Sequence, residues 1–392
     1  MPTPMPSTSP PPFRLSVEAL RVRGARQAVV SASFSIAPGR TLALLGDAAD
    51  GTSLLLDAIA GHAPIDHGAI LRDGRPIGAL PPRDRGIGLV SPRDPLFTHL
   101  DVAGNIGFPL RVRGLPSSER DRRIADGLAL LGLDAVAHVC PADLSPADAV
   151  RAALARALAA DPVLLLLDAP LQLLRPRERE QLRRSLKRLV GARGLTMLLA
   201  TEDRDEALSM GDEVGVLDRG TLHQVDSGAA LLERPCDAVV AARIGDANLL
   251  PGRILENDGE TARVRLPTGH VMEAEPFGAL PENAACTLAV RPDRIATAFL
   301  NRRGSEMEAA EDALPGTLQD VLHLGDHLRL RFRLADGMEL LVRRPPAAIL
   351  AELRPGRVAM LAWQPHQARV FPVSDEQPAR DAAQGYRAAL LF

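Results

Sequence analysis

The sequence predicts a two-part chain. The first part is an α/β domain of the phosphate-loop class carrying a helical subdomain; the second is a small β-barrel-like module. Three observations lead there. Short, continuously apolar runs alternate with helical segments from about Phe13 to Gly245. A strand, a glycine-bracketed loop and a helix follow one another near residues 41–60. After about Asp246 the pattern changes to short strands, some of them separated by Asp-Gly turns.

The apolar runs are TLALL (41–45), IGLV (87–90), VLLLLD (163–168), TMLLA (196–200) and VGVL (214–217). Near-continuous apolar strands of this length suit a sheet covered on both faces. Between them lie helices. One begins at Pro176, a residue suited to the first helical position, and Leu182, Leu186 and Leu189 form its apolar stripe. Strands alternating with helices make an α/β fold. The segment from about Pro92 to Ala160 is mostly helical and interrupts the alternation, as an inserted subdomain would. Beyond Asp246, ARVRL (262–266), CTLAV (286–290), HLRLRFRL (327–334), ELLVR (339–343) and VAMLAW (358–363) read as strands. Asp-Gly at 258–259 and 336–337 supplies turns. That pattern predicts a barrel-type module. The expected organisation is a disordered Pro- and Ser-rich tail at 1–13, an α/β domain at 14–245 with its helical subdomain at about 92–160, a β module at 246–373 and a tail at 374–392.

A chain of 392 residues is too long for one ordinary domain. Forty-six basic residues face 49 acidic ones, a formal charge of -3, which argues against a nucleic-acid partner. Lys187 is the only lysine, so no other lysine is available to a phosphate. Cys140, Cys236 and Cys286 are far apart and form no CxxC pair, as expected of reduced thiols in a cytoplasmic protein. No apolar run reaches the ~18 residues of a membrane helix, so any membrane role is expected to come through a partner. His323 and His327 span a turn rather than one helical face and are not expected to bind a metal together. Trp363 is expected in the β-module core.

After TLALL comes Gly46-Asp47-Ala48-Ala49-Asp50-Gly51-Thr52-Ser53. Both glycines of a GxxxxGK[ST] phosphate loop are present, and they allow backbone N–H groups to curl around phosphates at a helix N-terminus. Ser53 stands where a hydroxyl would ligate Mg²⁺, but Thr52 replaces the lysine. Asp47 and Asp50 add negative charge beside a site meant for a polyanion, unfavourable by about 1 kcal/mol or more. Taken alone, a strand-turn-helix with two glycines is common and need not bind anything.

Further segments follow in a fixed order. Ile36-Ala37-Pro38-Gly39 precedes the loop. AIAGHAPIDHGAILRDG (58–74), PPRDRGIGLV (81–90), PLFTHLDVAGNIGFPLRVRG (95–114), LSPADAVRAALARALAADPVLLLLDAPL (144–171), EALSMGDEVGVLDRGTLHQV (206–225), IGDANLLPG (244–252) and LAVRPDRI (288–295) come after it. In this order and spacing they resemble the ATP-binding subunits of ABC-type importers, in particular the group serving polyamines, sulfate, iron, sugars and phosphonates. The resemblance implies an ABC-type nucleotide-binding domain with a TOBE/OB-type module. It further implies ATP and Mg²⁺ as cofactors if nucleotide is bound at all, docking to membrane permease subunits, and a homodimer or a heterodimer with another ATP-binding subunit. The chain would work indirectly with a periplasmic solute-binding protein and lie peripherally on the cytoplasmic face of the cell membrane.

The same resemblance exposes departures. The base-stacking aromatic aligns near Arg23, and arginine can also stack on a base. The glutamine that positions Mg²⁺ and water aligns with Pro92, which has no side-chain amide. The signature that meets the nucleotide across a dimer reads Leu144-Ser145-Pro146-Ala147-Asp148, keeping Ser145 but neither glycine. The Walker B aspartate is kept as Asp168, the catalytic glutamate is Ala169, the aspartate of the loop that crosses the dimer aligns with Arg175, and the switch histidine is Glu202. Phosphoryl transfer depends on positioning and on neutralising charge, and each lost group typically costs roughly 10²–10⁴ in rate. Phe97, His99, Asn105 and the run to Arg111 match the surface that receives permease coupling helices. Three readings stand: a degenerate importer subunit with weak or absent hydrolysis, an active ATPase with unusual residues or an intact partner, and a regulatory or scaffold protein.

Overall fold

A computed structural model describes residues 13–24, 29–300, 313–346 and 353–373. The expected tails at 1–13 and 374–392 lie, apart from Phe13, outside the described residues. Two compact units divide between Ala230 and Leu231, earlier than the change in sequence pattern at Asp246. The physical reason is that the pattern changes where helix gives way to strand, whereas the apolar face of the last helix before that point already belongs to the second unit.

In the first unit the strands are β1 (Leu15–Arg23), β2 (Val29–Ile36), β3 (Thr41–Leu45), β4 (His67–Arg72), β5 (Arg75–Pro76), β6 (Ile87–Val90), β7 (Leu164–Asp168), β8 (Thr196–Thr201), β9 (Glu213–Asp218) and β10 (Thr221–Asp226). They form one sheet in the order β5-β4-β1-β2-β10-β9-β3-β8-β7-β6. From β9 to β6 all pairs are parallel, while β1, β2, β4 and β5 pair antiparallel. The parallel half is built from the continuously apolar runs; the antiparallel half is not, and its β1 largely alternates buried and exposed positions.

The parallel strands are covered on both faces, as their composition requires. Leu164 and Leu166 of β7 join β3 and helix α1 (Thr52–Ala60) in one core. Leu165 and Leu167 point the other way, into a core shared with α2 (Val102–Val112), α3 (Ser117–Leu131), α4 (Pro146–Ala159) and α5 (Pro176–Arg193). Leu182, Leu186 and Leu189 of α5 are buried, as their spacing implies. The short helix α6 (Arg204–Met210) follows β8.

Helix α7 (Gly228–Glu233) crosses the division, and α8 (Ala238–Gly245) opens the second unit. Its strands are β11 (Asn248–Asn257), β12 (Ala262–Arg265), β13 (Val271–Pro276), β14 (Ala285–Val290), β15 (Ala296–Phe299), β16 (Leu314–His323), β17 (Leu328–Arg333), β18 (Glu339–Arg344), β19 (Val358–Ala362) and β20 (Ala368–Pro372). The barrel-type module expected here consists of a closed barrel, β11-β12-β13-β20-β14, and a second five-stranded sheet, β15-β19-β16-β17-β18. The chain leaves the barrel after β14 and returns only with β20, so one apolar core serves both. Asn248, buried in that core, stitches them. Its amide oxygen accepts from Leu341 N at 2.7 Å, and its NH₂ donates to Leu341 O at 2.9 Å and Val290 O at 3.3 Å. Trp363 is a core residue as expected, its indole N–H donating to Glu273 O at 3.2 Å. No disulfide joins Cys140, Cys236 and Cys286, and burial pushes the Cys236 and Cys286 thiols up to about 11, where they are poor nucleophiles.

One buried charge holds the end of α1. Arg85 is 3% exposed. Its guanidinium donates to Ala58 O (2.8 Å), Ile59 O (2.9 Å), Gly78 O (2.8 Å) and Leu80 O (2.9 Å). Two of these are carbonyls at the end of α1, of which Ala58 O also accepts from Gly61 N at 3.2 Å, and a cation there also complements the helix dipole. Removing the guanidinium leaves the Ile59, Gly78 and Leu80 carbonyls without it as donor. Arg85→Met is expected to weaken the first unit by about 3 kcal/mol. The check is the urea midpoint of its unfolding transition; a change within error would refute the assignment.

Candidate functional site

The carboxyl ends of β3, β7 and β8 lie level because their parallel registers pair Leu45 with Thr201 and Asp168 with Ala200. In parallel sheets, ligands bind at this edge. Gly46 leaves β3 with its N–H on Thr201 O at 3.1 Å. Both loop glycines have reasons within the frame. A Cβ on Gly46 would stand 2.6 Å from Leu217 O. Gly51 has φ +96, and a Cβ there would meet the Val30 side chain at 2.4 Å.

The loop satisfies itself. Asp47 N donates to Asp50 Oδ2 at 3.0 Å, and Asp50 N donates to Asp47 Oδ1 at 2.8 Å. Gly51 N donates to Ala48 O at 3.2 Å. Thr52, in place of lysine, turns its hydroxyl back onto Asp47 O at 3.0 Å. Asp50 also accepts from Arg219 N through Oδ1 (3.0 Å) and from Gly220 N through its carbonyl (2.9 Å). Asp side chains commonly close turns by bonding nearby backbone N–H groups. Here two carboxylates occupy amides of the kind that would otherwise face phosphate oxygens.

Asp168 ends β7 and is buried. Ser53 Oγ donates to its Oδ1 at 2.9 Å and Ser91 Oγ to its Oδ2 at 3.0 Å. Arg93 Nη2 reaches the same Oδ2 at 3.1 Å. Arg93 also bonds Asp57 Oδ2 through Nη1 at 2.8 Å and Ser53 O through Nη2 at 3.2 Å. Burial raises the Asp57 carboxyl above its ordinary range and the Asp168 charge adds to this, whereas Arg93 and His62 oppose it. Ser53 and Asp168 thus lie in hydrogen-bond contact, with a guanidinium between Asp168 and Asp57. A nucleoside triphosphate with Mg²⁺ needs free amide N–H donors, a loop cation and an open carboxylate. As arranged, these residues do not fit that pair.

The remaining positions are scattered around the same edge. Ala169 follows Asp168 at φ 44, and Glu202 is exposed after β8. Together with Arg179, Thr201 and Glu206 they line a cavity of about 230 Å³. Pro92 is exposed and carries no group toward Asp168; its neighbour Arg93 does. Sequence reasoning missed Arg93. The available signal was the parallel pairing of Val90 with Leu167, which sets residues 91–93 beside Asp168. Ser145 caps α4, accepting from Asp148 N (3.1 Å) and donating to Asp148 Oδ2 (2.7 Å). Arg175 precedes α5, its N–H held by Glu178 at 3.1 Å. Arg23 is exposed, 3.6 Å from Asp66, and among the described residues no hydrogen bond or ion pair joins it to the loop. No metal-holding group of three or more His, Cys, Asp or Glu is present among the described residues, the His323–His327 turn included.

The segment from Phe97 to Arg111 forms an aromatic and basic surface. Phe97 stacks with Phe108 (4.4 Å) and His99 (5.9 Å), Arg156 sits over Phe97 at 5.2 Å, and Arg111 over Phe108 at 5.9 Å. Asn105, expected on this surface, is 0% exposed. Its side chain accepts from Phe97 N (2.8 Å) and donates to Phe97 O, Leu100 O and Asp101 O. An amide with both donors and its acceptor engaged is a brace for the 97–101 loop, not a contact residue.

Residues 29–172 match the ABC transporter family and residues 288–371 the TOBE domain. The chain is 35% identical over 338 residues to the spermidine/putrescine import ATP-binding protein PotA of Rubrobacter xylanophilus, covering 86% of this chain and 87% of that protein. It is 37% identical over 306 residues to PotA 1 of Pseudomonas aeruginosa (77% and 80% covered). It is 32% identical over 305 residues to the Fe(3+) ions import ATP-binding protein FbpC of Agrobacterium fabrum (78% and 83% covered). Among solved structures, cbiO1 from Clostridium perfringens, part of the ABC transporter complex cbiONQ, aligns with a TM-score of 0.50 at 26% identity over 55% of this chain and 88% of that one.

Glu206 offers a pH-dependent check on the cavity beside Ala169. It is 4% exposed; Oε2 accepts from Thr201 at 3.0 Å, and Oε1 has no partner. Burial raises its carboxyl above the usual 4.5. A raised folded value means that the stabilising contribution is complete below 4.5 and is lost as pH rises through the folded value. Glu206→Gln is therefore expected to gain about 1 kcal/mol at pH 7.5. The gain should vanish toward pH 4.5. Urea denaturation across that range measures it; a pH-independent difference would be contrary.

Proposed function

This chain belongs to the ATP-binding subunits of ABC-type importers, and we propose that within that family it is a degenerate subunit, one that docks to membrane permease subunits but hydrolyses ATP weakly or not at all. One observation carries the reading. The loop amides of Asp47 and Asp50 are taken by the loop's own carboxylates, in a loop whose N–H groups would have to face phosphate oxygens if nucleotide bound. Around that loop, Thr52 supplies no charge, Ala169 offers no carboxylate to polarise water, and Glu202 adds a negative charge. These losses bear on one transition state and act as a unit, so no single one measures the whole effect.

What remains intact is the frame and the candidate docking face. Asn105 and Arg156 hold the Phe97–Arg111 segment in shape, Arg156 by donating to Pro95 O (2.8 Å) and Asp94 O (2.7 Å). In this reading the chain lies on the cytoplasmic face of a membrane beside permease subunits, paired with itself or with another ATP-binding subunit. Among the described residues no helix is long and apolar enough to cross a membrane. Pairing with an intact homologue would not restore full activity. Each composite site joins one chain's loop to the other's signature, and in this chain Ser145 is a helix cap with Asp148 beside it. Relatives named for polyamine and for Fe(3+) import share similar identity with this chain, so its cargo is not singled out.

The purified protein is expected to give no binding heat with millimolar Mg-ATP and no turnover near the on the order of 1 s⁻¹ typical of enzymes, while co-purifying with its permease. Turnover at that rate, abolished by Asp168→Asn, would refute the reading. The Thr52→Lys, Ala169→Glu double variant is expected to remain inactive while Asp47 and Asp50 close the loop.

A further inference from the structure

We propose that Arg93 is a built-in cation standing in for the divalent metal at Asp168, so that this half of the site is neutralised by the chain itself. The proposal rests on the degenerate-subunit reading above and deepens it. Three contacts place the guanidinium and a fourth holds its backbone. It bridges the carboxylates of Asp168 (3.1 Å) and Asp57 (2.8 Å) and donates to Ser53 O (3.2 Å). Its own backbone N–H donates to Ser91 Oγ (3.2 Å), whose hydroxyl donates to Asp168 Oδ2 (3.0 Å). Asp168 therefore holds two hydroxyl donors and one cation, a complete set for a buried carboxylate.

The charge arithmetic asks for such a group. The Asp168 side chain is 7% exposed and that of Asp57 22%, and left alone the two carboxylates would repel in a partly desolvated site. A planar guanidinium can serve two carboxylates at once through separate N–H groups. A divalent ion ligated by Asp168 Oδ2 would have to approach it to about 2.1 Å, on the oxygen to which Arg93 Nη2 donates at 3.1 Å. Cation and metal therefore compete for one oxygen. The Arg93 side chain is 53% exposed, so it is an arm that can be changed without opening a core.

Competition predicts what happens when the arm is removed. The test uses the full-length protein, Mn²⁺ alone as probe, and two readouts: spin-resonance titration of bound Mn²⁺ and the thermal midpoint with and without it. The wild type is expected to bind no Mn²⁺ specifically below millimolar concentrations. Arg93→Ala should melt about 3–6 °C lower without metal, bind Mn²⁺ at least tenfold more tightly than wild type, and recover its midpoint on adding it. Arg93→Lys, which keeps a cation, should show no gain in Mn²⁺ affinity. Arg93→Ala with Asp168→Asn should lose the acquired binding. Wild type that binds Mn²⁺ as tightly as Arg93→Ala would overturn the proposal. So would Arg93→Ala that neither loses stability nor gains the ion. Metal binding without ATP turnover in the wild type overturns the built-in cation and leaves the degenerate-subunit reading standing; turnover abolished by Asp168→Asn overturns both.

Discussion

Everything at the candidate site depends on the burial of three adjacent parallel strands, Thr41–Leu45, Leu164–Asp168 and Thr196–Thr201. Every residue in them is buried. Leucines leave alternately into the two cores on either face. A one-residue slip would swap the faces of every side chain, so the register is strongly specified. That register brings the glycine loop, Asp168 and Thr201 to one edge and delivers Ser91 and Arg93 from the next strand. The site has its shape because the core holds it, whether or not anything binds.

A site-shaped backbone carries its own demands. N–H groups at the start of a helix must find acceptors, and a buried carboxylate must find donors or a cation. A nucleotide with its metal could meet both. In this chain Asp47 and Asp50 supply the acceptors, and Ser53, Ser91 and Arg93 supply the donors. The loop aspartates satisfy two of the loop's own amides, and Arg93 bridges Asp57 and Asp168. The glycines persist because a turn at φ +96 and a close approach to Leu217 O require them. Their presence is thus no sign of a ligand.

The second unit makes a related point about polar groups in cores. Its barrel and its second sheet share one apolar core, which by itself does not specify how two sheets register. Asn248 does so with bonds to both Leu341 and Val290. Arg85 plays the matching part in the first unit, tying the end of a helix to the strand-connecting loops through backbone carbonyls alone.

The sequence by itself determined the class of fold, the parallel strands, the α5 stripe, the β-rich second part and the threonine at the loop's lysine position, because these reside in local periodicity and in residues present or missing at fixed spacing. It also placed Trp363 correctly in a core. It did not reveal the antiparallel half of the first sheet, whose strands carry weaker alternation, nor the second sheet, which needs β20 to return to a barrel begun far earlier in the chain. Asn105 read as a surface residue, and only the folded loop shows it as a brace. Arg93 drew no attention, since its meaning lies in Asp57 and Asp168, 36 and 75 residues away in the chain. Identity at a position is local and legible. Which charge neutralises which is decided by the sheet register that brings distant strand ends together, and that exists only in the tertiary structure.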